Sequence, residues 1–279
     1  MLILAGLPIG DAADASENLK SMIEKVEFIA AEDSRKFSRL CQELGIRYTG
    51  KIISFFEGNE TERIDELTKL LISNKDVLVA TDAGMPGISD PGYRLVRAAI
   101  ENKIKIKVLP GPSAVTTALL LSGLPTDRFS FEGFTPRTAG ARSATFEKLR
   151  FEERTMVFFE APHRLKESLS DAVEVFGPER KGAICREMTK RYEESIRGTL
   201  SELLSWASAN EILGEITLVV QGAEIDSALR TANDMVDRVR EFEAAGMDRK
   251  GAIATVADEF GLSKRLVYAA VVDANKMSQ

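Results

Sequence analysis

Over its first 123 residues the chain alternates short apolar runs with helical patterns, and this alternation leaves few folds open. Leu2-Ile3-Leu4-Ala5, Phe28-Ile29-Ala30-Ala31, Ile52-Ile53-Ser54-Phe55, Val77-Leu78-Val79-Ala80 and the run from Ile104 to Val108 have the length and content of buried strands. Between them, apolar residues recur at helical spacing: Leu19, Met22, Ile23 and Val26; Phe37, Leu40, Cys41 and Leu44; Ile64, Leu67, Leu70 and Leu71. Such alternation predicts a parallel sheet joined by crossover helices. Asp14 with Glu17 reads as a capping box, Gly45 as a C-terminal cap, and Asp33, Asn59 and Asp90 as helix N-caps, with Pro91 as a first helical residue.

The second half changes character. Phe129 to Phe134, Thr155 to Phe159, Gly182 to Cys185, Tyr192 to Ile196 and Glu215 to Val220 are five further strand candidates, and only some are separated by helix-length segments, which predicts a mixed sheet. With 279 residues and 44% hydrophobic content, the chain reads as two α/β domains, 1–115 and 116–223, followed by a helical extension, 224–279. Within the extension, Thr255 to Tyr268 has helix-turn-helix spacing, with Ala257 at the close helix contact and Gly261 in the turn. A plain helical hairpin packed on the body or on a second subunit fits the same spacing.

Composition removes several classes of function. No apolar run reaches membrane-span length and Met1 to Leu4 runs into a glycine turn, so a soluble cytoplasmic protein is expected. Cys41 and Cys185 stand apart and His163 is the single histidine, which argues against disulfides, thiolate metal sites and zinc catalysis. With a net charge of −6, a general electrostatic grip on nucleic acid is not expected, which leaves room for a local one. Dinucleotide, P-loop and zinc-protease signatures are absent.

What remains is a set of loops at the carboxyl ends of the first strands, where open α/β sheets bind ligands. The longest, Thr81 to Gly92, holds Asp82, Gly84, Pro86, Gly87, Ser89, Asp90, Pro91 and Gly92. Asp82 follows its strand directly and has no helix to cap, so its carboxylate is free to meet a cofactor ammonium or hydroxyl. Ser113, Ala114, Thr116 and Thr117 open a helix with small side chains, which suits either close ligand approach or tight packing. Arg137, Arg142, Arg164, Arg186, Lys190 and Arg191 form a candidate local surface for RNA phosphates, or simply a solvated set of charges.

The strings LPIGD, AEDSRK, EGNE, TDAGMPGISDPGYRLV, LPGPSAVTTALLLSGLPTDRFSFEGFTPR, RTMVFFEAPHRL, REMTKRYEESIRGTL and GEITLVV resemble, in order and spacing, the bacterial 16S rRNA ribose 2′-O-methyltransferase I family of the tetrapyrrole methylase superfamily. The resemblance covers roughly Leu2 to Gly222. It implies a two-domain fold with S-adenosylmethionine in the cleft between the domains, no metal, a homodimer, and the 2′-hydroxyl of cytidine 1402 in the 30S subunit as substrate. Carried over by motif, the cofactor residues are Leu7, Pro8, Asp82, Ala83, Gly84, Met85, Ile88, Ser113, Ala114, Phe159, Gly214, Glu215 and Ile216. This chain has Gly58 where the family commonly has histidine, Ser34 where it has threonine, and Leu7 where it has threonine.

A sulfonium methyl is already activated, so such an enzyme mainly aligns the attacking oxygen in a dry cleft and accepts its proton. Glu32, Asp33 and Glu60 are the candidate proton acceptors, with Arg35 orienting the substrate. Two rival readings are a tetrapyrrole carbon methyltransferase and a non-catalytic nucleotide-binding regulator with a DNA-binding tail.

Overall fold

In the computed structural model, which describes residues 1–223, 232–260 and 262–277, the first five strands form one wholly parallel sheet. They are β1 (Leu2–Ala5), β2 (Phe28–Ala31), β3 (Lys51–Ser54), β4 (Val77–Ala80) and β5 (Ile106–Leu109), in the order β3-β2-β4-β1-β5. All four residues of β4 are buried, as a central strand covered on both faces requires.

The connecting helices sort by direction of travel. α1 (Glu17–Lys25) and α2 (Ser34–Glu43) carry the chain toward β3, whereas α3 (Glu60–Ile72) and α4 (Tyr93–Glu101) carry it back toward β5. Right-handed crossovers running in opposite directions lie on opposite faces. Accordingly Leu19, Ile23, Phe37 and Cys41 pack with Ile3, Ile29 and Leu78, while Leu67, Leu71, Leu95 and Ala99 pack with Leu2, Ala30, Val77 and Val79. The direction reverses between β4 and β1, and a crevice opens at their carboxyl ends.

α5 (Ala114–Ser122) leads into a second, mixed sheet. Its strands are β6 (Phe129–Phe134), β7 (Thr155–Glu160), β8 (Lys181–Arg186), β9 (Glu194–Thr199) and β10 (Ile216–Val220), ordered β6-β7-β10-β8-β9, with only β6 and β7 parallel. One face packs on α5 through Val115, Ala118 and Leu119, joined by Ile9 from the first sheet's exit loop. The other packs on α6 (Ala139–Leu149), α7 (Leu165–Phe176) and α8 (Leu200–Ala209) through Phe146, Leu165, Leu169, Leu200 and Leu203. Ile9 and α5 thus tie the crevice of one sheet to the face of the other.

α9 (Ala232–Ala244), α10 (Arg249–Glu259) and α11 (Lys264–Met277) bury a core of their own, including Val239, Ala252, Val256, Ala257 and Val267. Ala257 sits at the helix contact as its spacing predicts, and Leu262 donates its amide to the Ala257 carbonyl at 2.9 Å. Gly261, the expected turn residue, lies outside the described residues. No helix among the described residues is long and apolar enough to cross a membrane.

Two expected caps are replaced. Ser16, not Asp14, caps α1 by accepting from Leu19 N, because Asp14 belongs to a short 3-10 turn capped by Asp11. At α4 the cap position falls to Gly92, with φ +134°, whose amide is held at 3.0 Å by the Glu60 carboxylate; Asp90 caps nothing.

Gly6 and Gly111, leaving β1 and β5, approach so closely that a Cβ on Gly111 would stand 2.7 Å from the Gly6 carbonyl carbon. Both neighbours are backbone and cannot yield by a rotamer change. Gly111→Ala is therefore expected to cost about 1–3 kcal/mol by overpacking, read as a lower denaturation midpoint at unchanged m-value.

Candidate functional site

The crevice between the sheets is a cleft of about 400 Å³, within the range of small-molecule sites. Its floor comes from the loop after β4. Leu7 and Gly84 exchange backbone hydrogen bonds of 2.8 and 3.1 Å, which pins that loop to the exit of β1. Gly84 has φ +66°, and Ser89, though not glycine, has φ +60°; a conformation that costs L-residues energy is characteristic of functional loops. The walls are apolar where the second sheet arrives: Phe159 packs edge-to-face on Phe131 at 4.8 Å and on Phe134 at 5.4 Å between ring centroids.

The polar lining is predominantly acidic. Asp82 accepts from Lys36 Nζ at 2.6 Å and donates its backbone amide to Glu32 Oε2 at 3.0 Å. Burial raises the Glu32 carboxyl above the ordinary range, the bond from the Asp82 amide opposes this, and the Asp82 charge adds to it. Lys36 is raised chiefly by its hydrogen bond to Asp82. Glu215 takes Lys190 Nζ at 3.0 Å, and its amide donates to Glu187 Oε1 at 2.9 Å. Gly214 turns the chain here at φ +86°, against the Glu187 side chain.

Asp90 differs from these. Burial first, then the charges of Glu32, Asp82 and Glu215, push its carboxyl up to about 7. Glu160, at the end of β7, is fully buried and accepts from Thr135 Oγ1, Ser168 Oγ, the Ala161 amide at 2.7 Å and Arg164 Nη2 at 2.9 Å.

Among the motif-derived candidates, Asp82, Ala83, Gly84, Met85, Ile88, Ser113, Ala114, Phe159, Gly214, Glu215 and Ile216 all line this one cleft. Leu7 and Pro8 are buried behind it, so their part is to brace the Gly84 loop. Of the four candidate catalytic residues only Glu32 reaches the cleft. Asp33 caps α2 through the amides of Arg35 and Lys36, and the Arg35 bond chiefly lowers its carboxyl. Arg35 points back to Asp33 at 3.5 Å, and Glu60 is buried under Gly92.

The basic set divides as well. Arg142 is buried against Asp171 at 2.7 Å and is withdrawn from any RNA surface. Arg164, Arg186 and Lys190 are held by Glu160, Glu194 and the Glu187–Glu215 pair, while Arg137 and Arg191 are exposed. Lining residues outside the expected set include Lys36, Glu160 and Met188. Each is brought there by a separate element, so no local pattern marks them.

Residues 1–204 match the family of Tetrapyrrole (Corrin/Porphyrin) Methylases. A Ribosomal RNA small subunit methyltransferase I from Mycobacterium tuberculosis H37Rv is 46% identical over 276 residues, covering 99% of this chain and 95% of that protein. Its namesake from Halalkalibacterium halodurans is 38% identical over 271 residues, covering 96% and 93%. Among solved structures, uroporphyrin-III C-methyltransferase from Thermus thermophilus complexed with S-adenyl homocysteine has a TM-score of 0.56 at 16% identity, covering 79% of this chain and 96% of that one. The methyltransferase CobJ has a TM-score of 0.60 at 16% identity, covering 80% and 93%. At such identity these two share the fold.

Proposed function

Because the chain belongs to the tetrapyrrole methylase family and, within it, to the ribosomal RNA small subunit methyltransferase I group, we propose that it methylates the ribose 2′-hydroxyl of cytidine 1402 in 16S rRNA, using S-adenosylmethionine. The observation that carries this reading is the convergence of the β4 loop, the start of α5, Phe159 and the Gly214–Ile216 turn on one cleft.

The donor set suits that cofactor. A sulfonium and an ammonium group gain from carboxylates in a partly desolvated cleft. An adenosine ring gains from Ile88, Phe159 and Met188, and the cofactor's own carboxylate from the free amides at the start of α5, where the Ser113 side chain makes no capping bond. The residues that would hold it are Asp82, Ala83, Gly84, Met85, Ile88, Ser113, Ala114, Phe159, Gly214, Glu215 and Ile216. The bound cofactor supplies an activated methyl group, so no metal is needed. The chain's share is to fix the geometry, exclude water with the aromatic wall and remove the hydroxyl proton.

The rRNA approaches across exposed Arg137 and Arg191. We take the assembled 30S subunit as substrate and a homodimer as the working form, in the cytoplasm.

Incubation with methyl-labelled S-adenosylmethionine and 30S subunits from cells lacking the protein, followed by mass mapping, is the test. One methyl group is expected on the ribose of cytidine 1402, with none on porphyrinoids. Label on the porphyrinoid, or on a base of the rRNA, contradicts the proposal.

A further inference from the structure

We infer that Asp90 is the group that takes the proton from the attacking ribose hydroxyl; this rests on the methyltransferase reading above. Five carboxylates line the cleft, Glu32, Asp82, Asp90, Glu160 and Glu215. Four are committed. Glu32 holds the Asp82 amide, Asp82 holds Lys36, Glu215 holds Lys190, and Glu160 accepts four donors. Among the described residues no donor reaches the Asp90 carboxylate.

The backbone on either side is fixed. The Gly87 amide bonds to the Pro91 carbonyl at 3.1 Å, Ser89 sits at φ +60°, and Gly92 is anchored by Glu60. The loop is thus clamped around a carboxylate left free at the cleft. A base with no hydrogen bond to break is available to a substrate hydroxyl, and a carboxyl that titrates near neutrality accepts a proton far better than an ordinary aspartate.

The charged groups facing it are Glu32 from the end of β2, Asp82 from the end of β4 with its partner Lys36 on α2, and Glu215 from the turn before β10 with its partner Lys190. Burial first, and then these three carboxylates, favour the protonated form of Asp90, whereas a cationic cofactor favours its ionised form. In the transfer the ribose oxygen bonds to the methyl carbon as the carbon–sulfur bond breaks, its electron pair staying on sulfur. The hydroxyl proton moves to an Asp90 carboxylate oxygen and later to water, so sulfonium and carboxylate charges vanish together.

The test is Asp90→Asn, assayed with 30S subunits at saturating cofactor, beside calorimetric titration with S-adenosylhomocysteine and thermal unfolding at two pH values. Turnover is expected to fall by at least about 100-fold, with the homocysteine product bound within about threefold of wild type and the acid limb of the kcat profile gone. Asp90→Glu restores part of the turnover.

Thermal unfolding needs no substrate. A carboxyl raised in the folded state stabilises least above its folded pKa, so the midpoint of Asp90→Asn should gain on wild type from pH 5 to pH 8. Turnover within threefold of wild type, a loss of turnover that follows a loss of product affinity, or parallel pH dependences of unfolding would each overturn the assignment. Failure of the wild-type protein to methylate rRNA would instead overturn the substrate reading and, with it, the ribose hydroxyl as the source of the proton, whatever the unfolding comparison shows.

Discussion

Glu160→Ala is expected to destabilise the protein by roughly 3–5 kcal/mol, as removal of one partner from a buried ion pair does. The Glu160 side chain is 0% exposed, and the variant would leave the Arg164 guanidinium, the Thr135 and Ser168 hydroxyls and the Ala161 amide without their acceptor. Such a loss is a large share of a typical domain's stability. Glu160→Gln keeps the volume and loses the charge, so a smaller cost of about 1.5–3 kcal/mol is expected. Ala161 and Pro162, which this network holds, line the cleft, so ligand affinity should fall alongside stability. Urea denaturation at pH 7 measures the first effect; a cost under about 1 kcal/mol for the alanine variant would show that the network is not needed.

Gly84→Val carries the second large effect, on binding more than on folding. A β-branched residue at φ +66° is a steric outlier, and holding it there costs on the order of 1–3 kcal/mol. The loop can relieve this by leaving the Leu7 bridge, which moves the cleft floor away from α5 and Phe159. Whichever form the strain takes, ligand affinity should fall about tenfold to a hundredfold, since each 1.4 kcal/mol is a factor of ten. Calorimetric titration with S-adenosylhomocysteine reads this directly, and unchanged affinity would mean that Gly84 does not shape the site.

Much of the architecture was legible because its signals are local. β4 and its neighbours declare themselves as apolar runs, and alternation with Leu19-Ile23 and Leu67-Leu71 type stripes dictates parallel crossovers. The glycine loop after β4 was legible for the same reason. What was hidden depends on contacts between distant residues. Asp90 precedes Pro91 and has the local look of a cap, yet Glu60, 32 residues from Gly92, supplies the acceptor at that helix start. Arg142 and Arg186 read as free cations until Asp171 and Glu194 are brought beside them. Glu160 lies in the string RTMVFFEAPHRL, but its four donors are the Ala161 amide, Thr135 beyond β6, Arg164 ahead of α7 and Ser168 within it.

Strand ends of the first sheet and the ends of β7 and β10 in the second build one cleft, proposed above as the pocket for a methyl-donor nucleoside. A crystal structure with S-adenosylhomocysteine tests it most directly. The nucleoside is expected in the cleft, in contact with both the Asp82–Ile88 loop and Phe159, with its sulfur facing Asp90. Density for the ligand elsewhere on the molecule, or a cleft that stays empty in crystals grown at saturating ligand, would contradict it.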